Sequence, residues 1–363
     1  MDAAAAILYR GTGIGTYTYQ LVSYLSKELT DFYPIPPGME YGDCFLREDV
    51  DVVGNNDLRR AVFLPRYLNE KQIDLYHVPQ NGIGLPREKR CKETVTIHDL
   101  IPYLYPETVG RGYLRSFFEE MPRIMERSDA IITVSHCSAA DIRRVFDYPA
   151  EKIHVIYEAP EPIYRPLPET EVRKVLREKY GINKPYALYV GGFGPRKNVR
   201  ALILACYLLK KELGISCDLV LPGKRHREFE PLDALIEALD LKDQVTFPGF
   251  VPVSDLPFFY NGATVMVYPS VYEGFGLPPL EAMACRTPVI AAETSSLPEV
   301  LKDGALWFDP FDVVALCEEL YRVLSDEDFR ENLARKGKTV ASLYRWENVA
   351  AETIRVWDNV LLK

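Results

Sequence analysis

The sequence lacks any long run of apolar residues, and this limits what the protein can be. Its 363 residues contain no uncharged apolar stretch of roughly 18 residues, the length that a helix needs to span a bilayer. Residues 1–10 carry an early acidic residue and too short an apolar run for a secretory signal. We therefore expect a cytoplasmic protein, and leave open a peripheral contact with the inner face of the membrane.

Paired cysteines and a positive net charge are also lacking. The 7 cysteines are odd in number and none has Cys-x-x-Cys spacing, which favours free thiols and predicts no metal site. A formal net charge of −9 argues against a protein that coats nucleic acid. The remaining composition, 47% hydrophobic and 26% charged, is ordinary for a globular chain long enough to form two domains.

Short β-branched runs alternate with longer helical stretches, a pattern typical of α/β folds with parallel sheets. In the first half, strands are predicted at residues 73–78, 93–97 and 130–134, and helices at 16–27, 111–127 and 138–146. A second series of strands is predicted at residues 186–190, 217–221, 245–247, 264–267 and 288–291. The pattern therefore predicts two such domains in succession.

A proline cluster separates the two series. Four prolines lie between residues 160 and 168, and prolines of this density are typical of linkers because they cannot continue a helix or donate to a strand ladder. We place the domains at residues 1–165 and 166–345. Residues 346–363 are predicted to form an amphipathic helix with one apolar side, made of Ala350, Ile354, Trp357 and Leu361.

The predicted helix at residues 111–127 mixes arginines with aromatic residues. One interpretation is an amphipathic helix with a solvated basic edge. The other is a surface that faces an acceptor or a lipid.

The most informative segment is a strand–loop–helix pattern at residues 265–284. The loop contains Gly274 and Gly276, which would let backbone N–H groups approach a ligand closely. Pro278 then begins a helix at a position that proline tolerates. Because a helix N-terminus offers unpaired donors and a positive dipole, the segment favours a phosphate ligand.

Two carboxylates flank this loop. Glu273 precedes it, and we place Glu281 in the first turn of the helix, so both could converge on one ligand that carries ribose hydroxyls at one end and sugar hydroxyls at the other. The alternative is a plain strand–loop–helix in which Glu281 only interacts favourably with the helix dipole.

Two glutamates separated by seven residues, with Gly-Phe-Gly-Leu between them, resemble the signature of family 4 glycosyltransferases, which have the GT-B fold. Other segments resemble the same family in the same order, and its mannosyltransferase-like branch in particular. They are the glycine loop at 11–18, the His-Asp segment at 96–102, the start of the donor domain at 188–198, the base-facing loop at 247–251 and the closing helix from Trp346. The resemblance therefore covers nearly the whole chain.

The resemblance implies two Rossmann-like domains that face each other across a cleft. Residues 1–165 would bind the acceptor and residues 166–345 the nucleotide-sugar donor, while residues 346–363 would return to the first domain. The family holds the donor diphosphate with a basic pair, which matches Arg196 and Lys197. Two exposed basic residues in a loop are the alternative interpretation of that pair.

The resemblance also assigns the other site residues. Glu281 would bind the ribose, whereas Glu273 would contact the transferred sugar as a catalytic residue, together with His98 from the first domain. His98 could instead be a structural histidine, but it lies at the end of a predicted strand, where open α/β sheets bind ligands. The remaining donor-binding residues are Gly13, Gly15, Phe250, Val251, Gly274, Phe275, Gly276 and Leu277.

The implied reaction is the retaining transfer of a sugar from a nucleotide-diphosphate donor to a glycan or lipid-linked acceptor, with no cofactor and no metal. Arg196, Lys197 and the helix start would stabilise the charge that develops on the leaving phosphate. The sequence leaves open whether Glu273 forms a covalent intermediate. The mannosyltransferase-like resemblance favours GDP-mannose over UDP-sugars.

Other interpretations remain at this point. Asp49-Val50-Asp51 fits the metal-binding string of the GT-A fold. A sugar-nucleotide binding module without turnover, and a sugar-nucleotide epimerase of GT-B shape, would carry the same fold. The start of the chain departs from the family pattern, because only residues 3–9 are available for a first strand, which is either short and irregular or preceded by a missing segment.

Overall fold

The computed structural model describes residues 1–9, 11–35, 59–223 and 230–363. The chain divides into two compact units. The first contains Met1–Glu158 together with Trp346–Lys363, and the second contains Ala159–Arg345. Each unit has its own parallel sheet, so the prediction of two α/β domains is confirmed.

The first unit is built on a four-stranded sheet with helices around it. Its strands are β1 (Leu75–Val78), β2 (Lys92–Ile97), β3 (Ala130–Thr133) and β4 (Ile153–Val155). Its helices before the second unit are α1 (Ala4–Leu8), α2 (Gly13–Glu28), α3 (Leu64–Glu70), α4 (Ile101–Leu104), α5 (Arg111–Arg127) and α6 (His136–Phe146).

The second unit contains the six strands β5 (Tyr186–Leu188), β6 (Asp218–Val220), β7 (Val245–Thr246), β8 (Val265–Tyr268), β9 (Val289–Ala292) and β10 (Ala305–Phe308). Its helices are α7 (Glu169–Tyr180), α8 (Val199–Leu213), α9 (Glu230–Ala238), α10 (Leu256–Gly262), α11 (Leu277–Ala284), α12 (Leu297–Leu301), α13 (Val313–Ser325) and α14 (Glu327–Ala341). The closing helix α15 (Trp346–Leu361) belongs to the first unit.

The first sheet has the order β1-β2-β3-β4, and all of its strand pairs are parallel. Val95 in β2 and Ile131 in β3 are fully buried and lie opposite each other in the register. They pack in the same core as Phe117 of α5. Burial on both faces explains why these strands are nearly continuous hydrophobic runs in the sequence.

The start of the chain differs from the predicted first strand. The stretch at residues 3–9 is mostly the helix Ala4–Leu8, because a run of alanines has the highest helix propensity. Only the residues before it pair like a strand. The Asp2 N–H donates to the His77 carbonyl at 2.8 Å, and Asp2 forms a parallel bridge with Ile35. The stretch that was available for a first strand is therefore helical over most of its length.

The closing helix α15 buries a different face from the one predicted. Trp357 and Ala350 are buried as expected, but Ile354 is only half-buried and Leu361 is 46% exposed. The buried face is made of Trp346, Val349, Ala350, Thr353, Val356, Trp357 and Val360. The predicted stripe was therefore displaced by part of a turn.

The basic edge of α5 is engaged within the first unit. Arg123 and Arg127 donate to the Pro86 carbonyl at 2.7 and 2.6 Å, and Arg127 also forms an ion pair with the buried Glu93. These arginines therefore help to fix the loop before β2. Among the described residues, no helix has both the length and the apolar composition required to cross a membrane.

The second sheet has the order β10-β9-β8-β5-β6-β7, again with parallel pairs. The strands β10 and β4 were not predicted. Both are edge strands with half-buried residues, so neither shows the continuous apolar run of the central strands. The chain runs from β5 outward to β7 and then returns to the other side of β5 with β8, which makes the β5–β8 pair a topological switch point.

The boundary between the units lies after Glu158 rather than after residue 165. The proline-rich segment packs on the second unit, because Tyr164 makes an edge contact with Tyr260 at 5.5 Å between ring centroids. Asn261 fixes the same segment, since its side chain accepts from the Leu167 N–H at 2.9 Å. The prolines therefore lie at the start of the second unit instead of at the end of the first.

Candidate functional site

The candidate site lies at the switch point of the second sheet. The loop after β5 contains Arg196 and Lys197, and the loop after β8 contains Glu273 and leads into α11. Open α/β sheets bind ligands at the carboxyl ends of the strands on either side of such a point. The sheet order therefore brings together two segments that are far apart in the sequence.

The two loops are joined by their backbones. The Val271 N–H donates to the Arg196 carbonyl at 2.8 Å. The first loop ends in a short 3₁₀ helix, Pro195–Lys197, followed by Asn198 in the left-handed region at φ 52°. The Asn198 side chain donates to the Pro310 carbonyl at 2.7 Å, and this hydrogen bond fixes the turn that carries Arg196 and Lys197.

Glu273 lies between the two predicted phosphate-binding cations. One of its oxygens, Oε1, lies 2.6 Å from Lys197 Nζ and 3.2 Å from Arg196 Nη1. The same oxygen accepts a hydrogen bond from the Ser270 hydroxyl. Arg196 also donates to the Tyr272 carbonyl, and Lys197 to the Tyr268 hydroxyl. We call Arg196, Lys197, Ser270 and Glu273 the switch-point cluster.

The cations keep the Glu273 carboxylate ionised. Glu273 is only 8% exposed, and burial by itself would raise its pKa. Lys197 and Arg196 outweigh that effect and hold the pKa of Glu273 below its usual value. The cluster therefore contains one negative and two positive charges at neutral pH.

The loop between the glutamates requires glycine at one position. Gly276 has φ +101°, and a Cβ there would lie 2.6 Å from Leu297 Cδ2. The Ser296 hydroxyl holds the loop, bonded to the carbonyls of Glu273 at 3.0 Å and Phe275 at 2.9 Å. Gly276 is also the N-cap of α11, and because Pro278 and Pro279 carry no N–H, the backbone donors at this helix start are those of Gly276 and Leu277.

Other residues of the loop are mostly buried. Gly274 lies beside Glu273, Phe275 packs edge-on against Tyr344 with ring centroids 6.0 Å apart, and Leu277 is the first residue of α11. Their predicted contacts with the donor stay predictions.

Glu281 is not in the first turn of the helix. It is the fifth residue of α11, which begins at Leu277, so it lies in the second turn. At this position Glu281 cannot cap the N-terminus. The effect of the helix dipole is confined to the first turn, so a favourable interaction with the dipole does not explain Glu281. Its Oε2 atom instead accepts a hydrogen bond from the Tyr260 hydroxyl at 2.7 Å.

The predicted base-facing loop combines a buried and an exposed residue. Val251 is buried, whereas Phe250 is 62% exposed. Gly249 before them has φ +77°, and its carbonyl accepts from the Gly223 N–H at 2.9 Å. The loop is thus fixed to the segment after β6 and presents an aromatic ring at its surface.

His98 lies in the first unit, directly after β2, and is buried. Its Nδ1 atom lies 2.8 Å from Glu158 Oε1, and its Nε2 atom lies 2.9 Å from the Pro79 carbonyl oxygen. Both partners are oxygen atoms, and a charged ring with a proton on each nitrogen can donate to both of them. Burial lowers the pKa of His98, but the hydrogen bond and charge of Glu158 raise it above its usual value, which favours the charged ring.

The predicted glycine loop is the beginning of a helix. Gly13 is the first residue of α2, and the Thr12 hydroxyl caps this helix by accepting from the Gly15 N–H at 3.2 Å. A Cβ on Gly13 would meet nothing within 4 Å, so packing does not require glycine there. The proposed contact of both glycines with the donor stays a prediction.

Several residues of the site were missed by the sequence analysis. Ser270 lies within the motif and could have been noted as a hydroxyl beside Glu273. Tyr260 and Glu158 give no local signal, because each meets its partner through folding from a distant part of the chain. The Asp49-Val50-Asp51 string lies outside the described residues. Within the described ranges, no group of three or more His, Cys, Asp or Glu side chains could hold a metal ion.

Comparisons with known proteins identify the family of the chain. Residues 11–159 match the family model of Glycosyltransferase Family 4, and residues 172–340 match that of Glycosyl transferases group 1. The O-antigen chain mannosyltransferase B of Escherichia coli is 32% identical, with 98% of each chain covered. The serotype-specific mannosyltransferase WbdA of Escherichia coli is 33% identical over 76% of this chain, a match that spans 34% of that longer protein.

A solved structure shows the same fold. The sucrose-phosphate synthase from Thermosynechococcus elongatus superposes with a TM-score of 0.77 at 22% identity, over 97% of this chain and 94% of that one. The fold class and the family predicted from the sequence are both confirmed. The chain belongs to the family 4 glycosyltransferases and has the GT-B fold.

Proposed function

We propose that this glycosyltransferase transfers mannose from GDP-mannose to a glycan acceptor, with retention of the anomeric configuration. The observation that carries the proposal is the switch-point cluster, in which Arg196 and Lys197 both contact Glu273, four residues before the start of α11. Mannose is favoured because both curated relatives named above are mannosyltransferases.

The cluster suits a diphosphate. Two cations and one carboxylate leave a single excess positive charge, which Arg196 and Lys197 would share with the phosphates. Arginine can bind phosphate oxygens in a bidentate manner, and the N–H groups of Gly276 and Leu277 at the start of α11 would add two further donors. Together they stabilise the negative charge that develops on the leaving nucleoside diphosphate.

Glu273 would then act on the sugar. It is ionised and held by Ser270 and Lys197, so it presents a fixed negative charge where positive charge develops at the anomeric carbon. The acceptor hydroxyl attacks from the face that the phosphate leaves, and the departing phosphate takes its proton. This route uses side chains and a helix start, and it requires no divalent metal.

The acceptor would bind to the first unit. That unit carries the Glycosyltransferase Family 4 match, and its α5 helix keeps Tyr113 and Phe118 partly exposed, at 42% and 43%. Aromatic side chains of this kind suit the apolar faces of sugar rings. We propose a glycan acceptor, which can be lipid-linked.

A screen of nucleotide sugars tests the proposal. GDP-mannose should raise the melting temperature of the full chain more than UDP-glucose or UDP-N-acetylglucosamine, because a ligand stabilises the state that binds it. The donor should then be consumed in the presence of a glycan acceptor, and a chelator should leave the rate almost unchanged.

Three outcomes would contradict parts of the proposal. Binding without turnover on any acceptor would indicate a sugar-nucleotide binding module. Loss of activity on chelation, restored by manganese or magnesium, would contradict the metal-free route. Stronger stabilisation by a UDP-sugar would reject GDP-mannose while leaving the transfer reaction intact.

A further inference from the structure

The second glutamate of the motif lies in an environment that the proposed reaction has not yet used. Tyr260 is fully buried on α10, and its hydroxyl donates to Glu281 Oε2 at 2.7 Å. Tyr164, which is 5% exposed, packs edge-on against the Tyr260 ring at an interplanar angle of 80°. Burial and the charge of Glu281 raise the pKa of Tyr164. One tyrosine hydroxyl therefore donates to the carboxylate, and a second tyrosine, which senses the same charge, packs against the first.

Both tyrosines are fixed by contacts of their own. The Tyr260 carbonyl accepts from the Thr287 hydroxyl at 2.6 Å, so the end of α10 is attached to the segment that precedes β9. The neighbouring Asn261 donates to the Arg165 carbonyl at 2.9 Å and accepts from the Leu167 N–H at 2.9 Å. The proline-rich segment that carries Tyr164 is thereby held against α10.

A hydroxyl donor has a different effect from a cation. It fixes the direction of a carboxylate but adds no formal charge, so the carboxylate keeps its full strength as an acceptor for hydroxyl groups of a ligand. A side chain that is fixed before the ligand arrives also loses less conformational entropy on binding. This arrangement suits a carboxylate that must receive hydrogen bonds from ribose hydroxyls.

We propose that Tyr260, supported by Tyr164, is a positioning residue that orients Glu281 toward the ribose of the donor and thereby sets the preference for a ribonucleotide with both hydroxyls. This inference rests on the proposed function and on the role that the family resemblance implies for Glu281, which is to bind the ribose of the donor. It adds that the proline-rich segment at the start of the second unit takes part in donor recognition through Tyr164.

Calorimetry on the full-length protein tests the proposal with two probes, GDP and 2′,3′-dideoxy-GDP. The measured quantity is the ratio of their Kd values, which isolates the ribose hydroxyls. UDP and its dideoxy analogue serve as a parallel pair, so that the choice of base does not decide the result. We expect the wild type to prefer the ribonucleotide by roughly tenfold or more, because hydrogen bonds to a charged group contribute at least that much.

Tyr260→Phe should reduce this preference several-fold, and Glu281→Gln should reduce it at least as much. Combining the two changes should add little, since they act on the same contact. Tyr164→Phe should have the same effect at a smaller size, and it also tests the proposal if Tyr260→Phe folds poorly. Tyr186→Phe is the matched control, because it removes another buried hydroxyl of this unit, bonded at 2.7 Å to the Phe259 carbonyl.

The outcomes separate the two levels of the proposal. If Glu281→Gln lowers the preference but Tyr260→Phe and Tyr164→Phe weaken both nucleotides equally or not at all, the tyrosines are structural and the positioning role is rejected. If the wild type does not distinguish the two nucleotides in either pair, Glu281 does not bind the ribose, and the proposed role of Glu281 is rejected together with that of the tyrosines.

Discussion

Each unit of the protein buries a carboxylate beside a cation, but the two pairs are built from different cations. In the first unit Glu158 pairs with His98, and in the second Glu273 pairs with Arg196 and Lys197. Histidine titrates near neutral pH, whereas arginine and lysine stay charged there. The first pair is therefore sensitive to pH, and the second provides permanent charge that suits a phosphate ligand.

The two pairs should lose their contributions to stability at opposite ends of the pH scale. The pKa of folded His98 is raised, so its contribution is fully present below the unfolded value of about 6.5 and is lost as the pH rises through the folded value. The pKa of folded Glu273 is lowered, so its contribution is present above the unfolded value and is lost only as the pH falls through the folded value. Both contributions are therefore present together between the two unfolded values, about 4.3 for glutamate and about 6.5 for histidine.

The largest expected effect is on turnover in the second unit. Glu273→Gln should lower kcat by about two orders of magnitude, because it removes a charge that stabilises the transition state. The affinity for GDP should not fall, since the change removes a negative charge next to Arg196 and Lys197. Steady-state kinetics and calorimetry on the same sample measure both quantities.

A melting curve must first show that this variant is folded, because Glu273 begins a tight loop. A loss of GDP affinity with kcat preserved would mean that Glu273 serves the nucleotide and not the transferred sugar.

A smaller effect is expected when one cation of the cluster is removed. Lys197→Ala should weaken GDP binding by roughly tenfold and guanosine binding hardly at all, because Lys197 acts through the phosphates. Lys184→Ala is the matched control, since Lys184 lies in the same unit, is 69% exposed and pairs with Asp218. An equal loss for GDP and guanosine would show that Lys197 only maintains the loop.

The smallest effect is expected from the pH-sensitive pair. Raising the pH from about 6 to about 8.5 should lower the melting temperature of the wild type more than that of Glu158→Gln. The difference between the two decreases should be roughly 2–4 °C, which corresponds to about 1 kcal/mol in a domain of this size. The reason is that His98 loses its raised pKa when Glu158 loses its charge. The melting temperature of Glu273→Gln should change with pH in the same way as that of the wild type over this range. Parallel curves for the wild type and Glu158→Gln would show that His98 is not charged in the folded protein.

Much of the fold could be predicted from the sequence because its main signals are local. Central strands such as β3 and β8 are buried on both faces and therefore appear as short apolar runs. Gly276 and the prolines after it define the loop and the start of α11, because backbone geometry depends on single residues there. The family signature follows from the same segment.

Other features were decided by tertiary packing. The edge strands β4 and β10 lacked a clear pattern because they are only half-buried. Burial of α15 depends on which of its faces meets the first sheet, and the amphipathic pattern alone did not distinguish neighbouring faces.

The sequence alone determined which residue types the site contains: two glutamates at fixed spacing, a basic pair and a glycine loop. Only the tertiary structure decided how they are paired. The β5–β8 switch point places Glu273 against Arg196 and Lys197, and the packing of α10 places Tyr260 against Glu281. These contacts join residues that are distant along the chain, and they depend on strand order and helix packing, which no local pattern of residues encodes.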